Sequence, residues 1–364
     1  NMFMNYYREY IQQGFPVKFY FSGNINSAED ECDFIRAMKQ QGVSGIISFY
    51  GQDIRKIVET CDEEEMYYVL GSGNISDEDY DKIKNSQYFL GSVGPDAKAD
   101  YEAGYNMAEY FADADTSKYI VLTGGSSAGN YMHLQRAIGV LEALAEKEGL
   151  TYSEDVEKLA ASEEITVVDT GKDDISITIC PGYMTAPKGI NNLKHAFVDG
   201  NYDAVLCTFN VDEIMKIVTA KEDEQGSNIK IGAVDCFSQE NHDEINTEDS
   251  FGNPKIDYIA GKYASMGGPA FAILYNAMAG YPEANTDDAD SNTVRLYQGF
   301  WSASDKASFN KLYGYTQDIY ENAYSCADLM KVIKSYNPDT TPDDMKALTE
   351  AYTVEDVQKR MEEK

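Results

Sequence analysis

Apolar runs of strand length alternate with stretches of helical periodicity along most of the chain. Residues 17–21, 45–49, 67–70, 119–122, 204–208 and 230–235 are apolar almost without interruption, and 89–93 and 175–180 read as strands beside them. Most are followed by a turn and then by apolar positions recurring every three or four residues. Strands that are apolar on both faces are buried on both faces, which alternating βαβ units achieve in a mostly parallel sheet. Open α/β sheets bind small ligands at the carboxyl ends of their strands, so the loops after these runs are where function is expected.

The intervening helices are predicted over residues 2–13, with Phe3, Tyr6, Tyr7 and Tyr10 on one face, and over 27–41, 53–62, 95–112, 131–147, 187–199, 212–221 and 269–278. Ser27 with Asp30 reads as a capping box, Gly42 as the stop of that helix, and Gly280 with Pro282 as the stop of the last. Residues 165–169, 258–260 and 292–299 read as further strands. From residue 305 onward the chain is polar and helical, with Pro338 and Pro342 marking a break.

A chain of 364 residues is long for one hydrophobic core and suits two. Its 62 acidic against 30 basic residues leave a net charge of −32, which repels phosphate backbones and anionic lipid. Nucleic acid and membrane surfaces are therefore not expected as partners. No apolar stretch reaches the length of a membrane span. The chain starts at Asn1 rather than Met, and a natural N-terminus upstream of it is expected. Six cysteines are scattered without a CxxC pair, so neither a zinc site nor a thioredoxin-like site is indicated. Cys207 and Cys236 read as small buried residues; a bridge between Cys32 and Cys61 is left open. No cofactor and no metal are expected.

The loop at residues 123–130, TGGSSAGN, joins a strand to a helix but lacks the lysine of a phosphate loop and the glycine spacing of a dinucleotide fingerprint. It reads as a βα turn that offers N–H groups at a helix start. No Gly-x-Ser-x-Gly elbow follows a strand. Of the three histidines, His195 reads as a surface residue and His242 falls in an acidic loop; His133, beside Tyr131, stands where a ligand would lie. The acidic run at 77–81 resembles a calcium loop but carries Lys82 and Tyr88 where glycine and glutamate are needed, so it reads as a charged helix start.

The segments GVSGIISFYGQDIRKIVETCDEEEMYYVLGS, FLGSVGPDAKADYEAGYNMAEYF, KYIVLTGGSSAGNYMHLQRAIGVLEAL, YDAVLCTFNVDEIMKIV and IKIGAVDCF, in that order and spacing, resemble the type I periplasmic (solute-binding) proteins of sugar ABC transporters, the ribose-binding-like group. The likeness covers about residues 2–301. It implies an α/β fold of two similar doubly wound parallel-sheet lobes that close on a ligand by a hinge, joined by crossovers near residues 93–96, 258–262 and 298–301. The expected division is 1–94 with 262–297 for the N-terminal lobe, 95–258 with 298–312 for the C-terminal lobe, and a helical C-terminal extension over 313–364.

By matching position, the resemblance implies that Asp235, at the end of GAVD, accepts hydroxyl protons of a sugar, the competing reading being a helix cap. Asn210 falls on the family's Asn-Asp-Glu turn with Val211 inserted, Tyr183 where an aromatic ring stacks on the sugar, and Lys262 at a polar hinge position. Phe49, Tyr50, Ser72 and Asn74 fall on the cleft loops of the first lobe; Tyr131 and His133, at the start of the helix after the Gly-rich loop, join the candidates by their place alone. Three departures stand out. Ser72-Gly73 replaces the family's Asp-Arg pair, Leu134 replaces a ligand arginine and leaves Arg136 structural, and the family's first strand is not visible ahead of the first helix.

The function this implies is non-catalytic. An extracytoplasmic monomer, a lipoprotein or periplasmic protein, would capture a small polar ligand (a sugar, polyol or nucleoside) for the membrane subunits of an ABC permease. The same fold could instead serve as the ligand sensor of a membrane receptor. A third reading is an α/β hydrolase or sugar-modifying enzyme using Asp235 and His133 as an acid–base pair.

Overall fold

The structure, a computed structural model, describes residues 2–25, 27–71, 75–113, 115–125, 131–261, 266–288, 291–317 and 323–362. Its strands, in chain order, are β1 (Gly45–Ser48), β2 (Tyr67–Gly71), β3 (Phe89–Gly94), β4 (Lys118–Thr123), β5 (Thr166–Val167), β6 (Ser176–Pro181), β7 (Ala204–Cys207), β8 (Lys230–Asp235), β9 (Tyr258–Gly261), β10 (Val294–Tyr297) and β11 (Trp301–Ala303). They build two sheets in two compact units. The first unit comprises residues 1–96, 263–299 and 314–364; the second comprises 97–262 and 300–313.

In the first unit β1-β2-β3-β10 form a parallel sheet. The burial of β2 and β3 is nearly continuous, as their apolar sequences require. One face packs on helices Ala28–Gln40 and Ile54–Glu63 through Cys32, Ile35, Ile57, Val58 and Cys61. Helix Gly267–Met278, apolar almost all round, is packed against β1, β2 and β3. Ser27 caps the helix Ala28–Gln40 by accepting from Asp30 N, and Gly42 takes φ +77° just past its end.

Residues 17–21 form no strand, contrary to their composition. Phe19 and Phe21 turn to the helix Met2–Gln13 instead: Phe19 stacks on Tyr7 at 4.7 Å and lies 5.6 Å from Phe271, and Phe21 lies 6.5 Å from Tyr7. Tyr6, Tyr7 and Tyr10 are buried on that helix, and they form a ring cluster with Phe15 and Phe271. The C-terminal segment 323–362 belongs to this unit as well. Tyr10 Oη donates to Tyr324 O at 2.8 Å, and Asn276 Nδ2 donates to Val332 O.

The second unit holds a seven-stranded sheet in the order β11-β9-β8-β7-β4-β6-β5. The five inner strands are parallel, and both edge strands are antiparallel. β5 is two residues long rather than the five expected at 165–169, and β11 was not anticipated. Helices Ala97–Phe111 and Tyr131–Glu148 cross at backbone contact. A Cβ on Gly104 would sit 2.0 Å from Arg136 O, and one on Gly139 would sit 2.1 Å from Tyr101 O. Only glycine permits that approach, which accounts for both glycines in the sequence.

Candidate functional site

The carboxyl ends of β4, β6, β7 and β8 carry the residues singled out in the second unit. Asp235 is the last residue of β8, partly buried. Its Oδ2 accepts from Asn210 Nδ2 at 2.9 Å and from Asn241 Nδ2 at 2.8 Å. Asp235 is not a helix cap. Ser238 caps the helix Gln239–Asn246, its Oγ accepting from Asn241 N. Burial pushes the Asp235 carboxyl up to about 6, helped by nearby Asp212 and opposed by the Asn241 bond and by Arg136.

Asn210 is fully engaged. Its Nδ2 also donates to Asp212 Oδ2 at 3.0 Å, and its Oδ1 accepts from Asp212 N at 2.9 Å. That Asx turn fixes the loop after β7 and aims one amide at Asp235. Asn241 was missed in the sequence. It is fully buried, and it donates to Cys236 O as well as to Asp235. The signal was its spacing: Asn241 and Ile245, one helical turn apart, are the two buried residues of their helix.

The neighbouring strands carry a triad of rings. His133 lies 5.3 Å from Tyr183 and 5.5 Å from Phe209, and Tyr183 lies 5.3 Å from Phe209. The His133–Tyr183 and Tyr183–Phe209 pairs are edge-to-face, and His133 Nδ1 is 2.9 Å from the Tyr183 hydroxyl. Three adjacent strands supply the set, because Tyr183 follows β6, His133 opens the helix after β4, and Phe209 follows β7. Phe209 was not singled out in the sequence, although it immediately precedes Asn210. Tyr131 is 40% exposed at the first turn of the same helix as His133 and makes none of these ring contacts.

Arg136 underlies the loop after β7. Its Nε donates to Asp100 Oδ1 at 2.8 Å and its Nη1 to Thr208 O at 3.0 Å, with both charged side chains almost wholly buried. The guanidinium also lies over the Phe300 ring, 5.4 Å from its centre. It thereby anchors the residue just before Phe209 and Asn210, a positioning role rather than a ligand contact.

In the first unit, Tyr50 N donates to Ser48 Oγ at 3.2 Å and Tyr50 Oη donates to Gln52 Oε1 at 3.1 Å. The Phe49 ring lies against the backbone of Gly71, where a Cβ would meet it at 2.7 Å. Ser48 and Tyr68 both hydrogen-bond the buried Glu31, whose carboxyl burial pushes above its usual range. Ser72, Asn74 and Lys262 lie outside the described residues.

Among the described residues no group of three or more His, Cys, Asp or Glu side chains could hold a metal ion, and no helix is long and apolar enough to cross a membrane. All six cysteines are unbridged; Cys32 and Cys61 are fully buried, with Thr60 Oγ1 donating to Cys32 Sγ. His242 sits on the helix Gln239–Asn246 rather than in a loop and stacks on Tyr313 at 4.4 Å.

Solved structures share this architecture. A galactofuranose binding protein superposes with a TM-score of 0.58 at 11% identity, over 87% of this chain and 94% of its own. The chain has the fold of the periplasmic solute-binding proteins. The periplasmic component of the arabinose ABC transporter from Shewanella sp. ANA-3, bound to L-arabinofuranose, gives 0.54 at 15% identity, over 87% of this chain and 90% of its own. A solute binding protein from Actinobacillus succinogenes 130z with bound D-allose gives 0.56 at 13% identity, covering 85% and 93%. No family profile and no curated protein matches the sequence.

Proposed function

We propose that the chain is a solute receptor that binds a neutral, hydroxyl-rich molecule, a sugar or polyol, and releases it unchanged. One observation carries the reading: a carboxylate held by two asparagine amides and a triad of rings, both at the carboxyl ends of adjacent parallel strands. A carboxylate accepts two hydroxyl protons, and aromatic rings cover the C–H faces of a saccharide. The likeness to sugar-binding proteins supports the same ligand class. Delivery to the membrane subunits of an ABC importer, an extracytoplasmic location and hinge closure of the lobes belong to this proposal.

The surroundings of Asp235 also argue against anionic ligands. Asp212, itself pushed up by burial, has Glu213, Glu240 and Glu244 as its acidic neighbours. An enzymatic reading draws no comparable support. The His133 ring nitrogen is engaged by a phenol, and Asp235 by two amides, which suits fixed recognition better than proton transfer.

A thermal-shift panel of neutral sugars, polyols, nucleosides and uronates tests the proposal. One neutral hydroxyl-rich class should raise the melting temperature, and mass spectrometry should recover that compound unaltered. Turnover of the stabilising compound, or stabilisation by uronates alone, would overturn it.

A further inference from the structure

The C-terminal segment makes a buried contact that its polar, short-helix sequence gives no reason to expect. Gln298 is 1% exposed and lies where the chain leaves the first unit, whose last residue in that stretch is Gly299. Its N–H donates to Gly94 O at 3.0 Å, two residues before the first passage out of that unit after Asp96. One backbone bond therefore joins the two chain segments at their points of exit. The Gln298 side chain reaches the other way. Its Nε2 donates to Tyr324 Oη at 2.8 Å and to Thr349 O at 3.1 Å. Tyr324 Oη in turn donates its hydrogen bond to Thr349 O, also at 2.8 Å. Burial holds that phenol far above its usual range, so it remains a donor at any working pH.

The group is locked from several sides within the first unit. Tyr10 Oη donates to Tyr324 O, and Tyr352 lies parallel to the Tyr324 ring at 6.5 Å. Arg360 lies over that ring at 4.5 Å and donates to Ala323 O through Nε and Nη2. A further Arg360 bond runs to Ala351 O. A segment that merely covered an apolar face would not need the two hydrogen bonds it gives Gln298, nor the contacts that hold Tyr324 in place to make them.

We propose that residues 323–362 form a brace that fixes Gln298, and through it Gly94, and so sets how readily the two exit segments move. The brace rests on the receptor reading only in that those segments then serve as its hinge. A buried hydrogen-bonded network of this kind specifies one arrangement, since each member lost leaves another unsatisfied. Gln298 Oε1, buried without a partner among the described residues, leaves the side chain dependent on its two Nε2 bonds.

Hydrogen exchange by mass spectrometry on the full chain tests this without any ligand. Tyr324→Phe keeps the ring and its stacking but removes the hydroxyl. Amides at 94–97 and 298–301 should then exchange about fivefold faster, while those of β4 and β7 stay unchanged. Arg360→Met, which loosens the segment without touching Gln298, should speed the same two stretches. Unchanged exchange there in both variants, or acceleration spread evenly over the first unit, would overturn the brace. Because the readout is taken on the apo protein, a failed sugar panel alongside fast exit segments would sink the receptor reading and leave the brace standing.

Discussion

The fully buried Asn241 donates to the partly buried Asp235, 2.8 Å from Nδ2 to Oδ2, one residue on the helix that follows a strand and the other at that strand's end. The bond holds the carboxylate in place from a helix that bears no other candidate residue. Asn241→Leu should therefore weaken sugar binding more than tenfold while leaving the ring triad intact. Isothermal titration with whichever panel sugar stabilises the protein checks this; unaltered affinity would mean that Asp235 needs no such support.

The pH dependence of Asp235 runs opposite to that of most carboxylates. Its folded pKa of about 6 lies above the ordinary aspartate value, so the native state binds the extra proton. Stability from this group is present below about pH 4, falls as pH rises to about 6, and is flat beyond. Asp235→Asn should lack that decline. Urea titrations at pH 4.5 and 7 should show the variant gaining up to about 2 kcal/mol on the parent at the higher pH, with sugar binding lost.

Arg136→Met would strip Asp100 of its partner in a fully buried position. An uncompensated buried carboxylate should lower stability by about 3–5 kcal/mol, read as a fall in the denaturant midpoint. The double variant with Asp100→Leu should recover much of that loss.

Gly104→Ala would drive a methyl group into Arg136 O across the helix crossing. Backbone there cannot yield without separating two helices, so a loss of about 3 kcal/mol is expected by calorimetry. Ala103→Gly, one residue away, should cost about 1 kcal/mol through helix propensity and its small buried methyl.

Much of the fold was legible because fully buried parallel strands announce themselves as unbroken apolar runs; β4, β7 and β8 fall almost where such runs do. Residues 17–21 show why the rule has limits. Val-Lys-Phe-Tyr-Phe has high strand propensity, but propensity describes fit to a half-buried pleated surface, and Phe19 finds a better one on Tyr7 and Phe271. β11 escaped notice because three residues with an alternating burial pattern carry too little periodicity to register. In the C-terminal segment the helices Pro342–Glu350 and Val354–Glu362 bury only isolated residues, Met345, Thr349 and Val357, although capping boxes at Ser325 with Asp328 and Thr341 with Asp344 mark two helix starts plainly. At the site, Asp235 and Asn210 could be placed by their position after strands. Asn241 was harder to place, because its spacing of one turn from Ile245 points inward only once the helix's packed face is known.

The pairing of β3 with β10 joins Gly91 to Val294, whereas the parallel ladders of the second unit draw on the continuous stretch from Lys118 to Gly261. A ribosome therefore releases everything the second unit's parallel core requires before it has made the strand that closes the first. The early product should settle that inner core while its predecessor waits as an open three-stranded layer, so nascent chains arrested near residue 290 should already resist protease across 118–261 and remain cleavable before it.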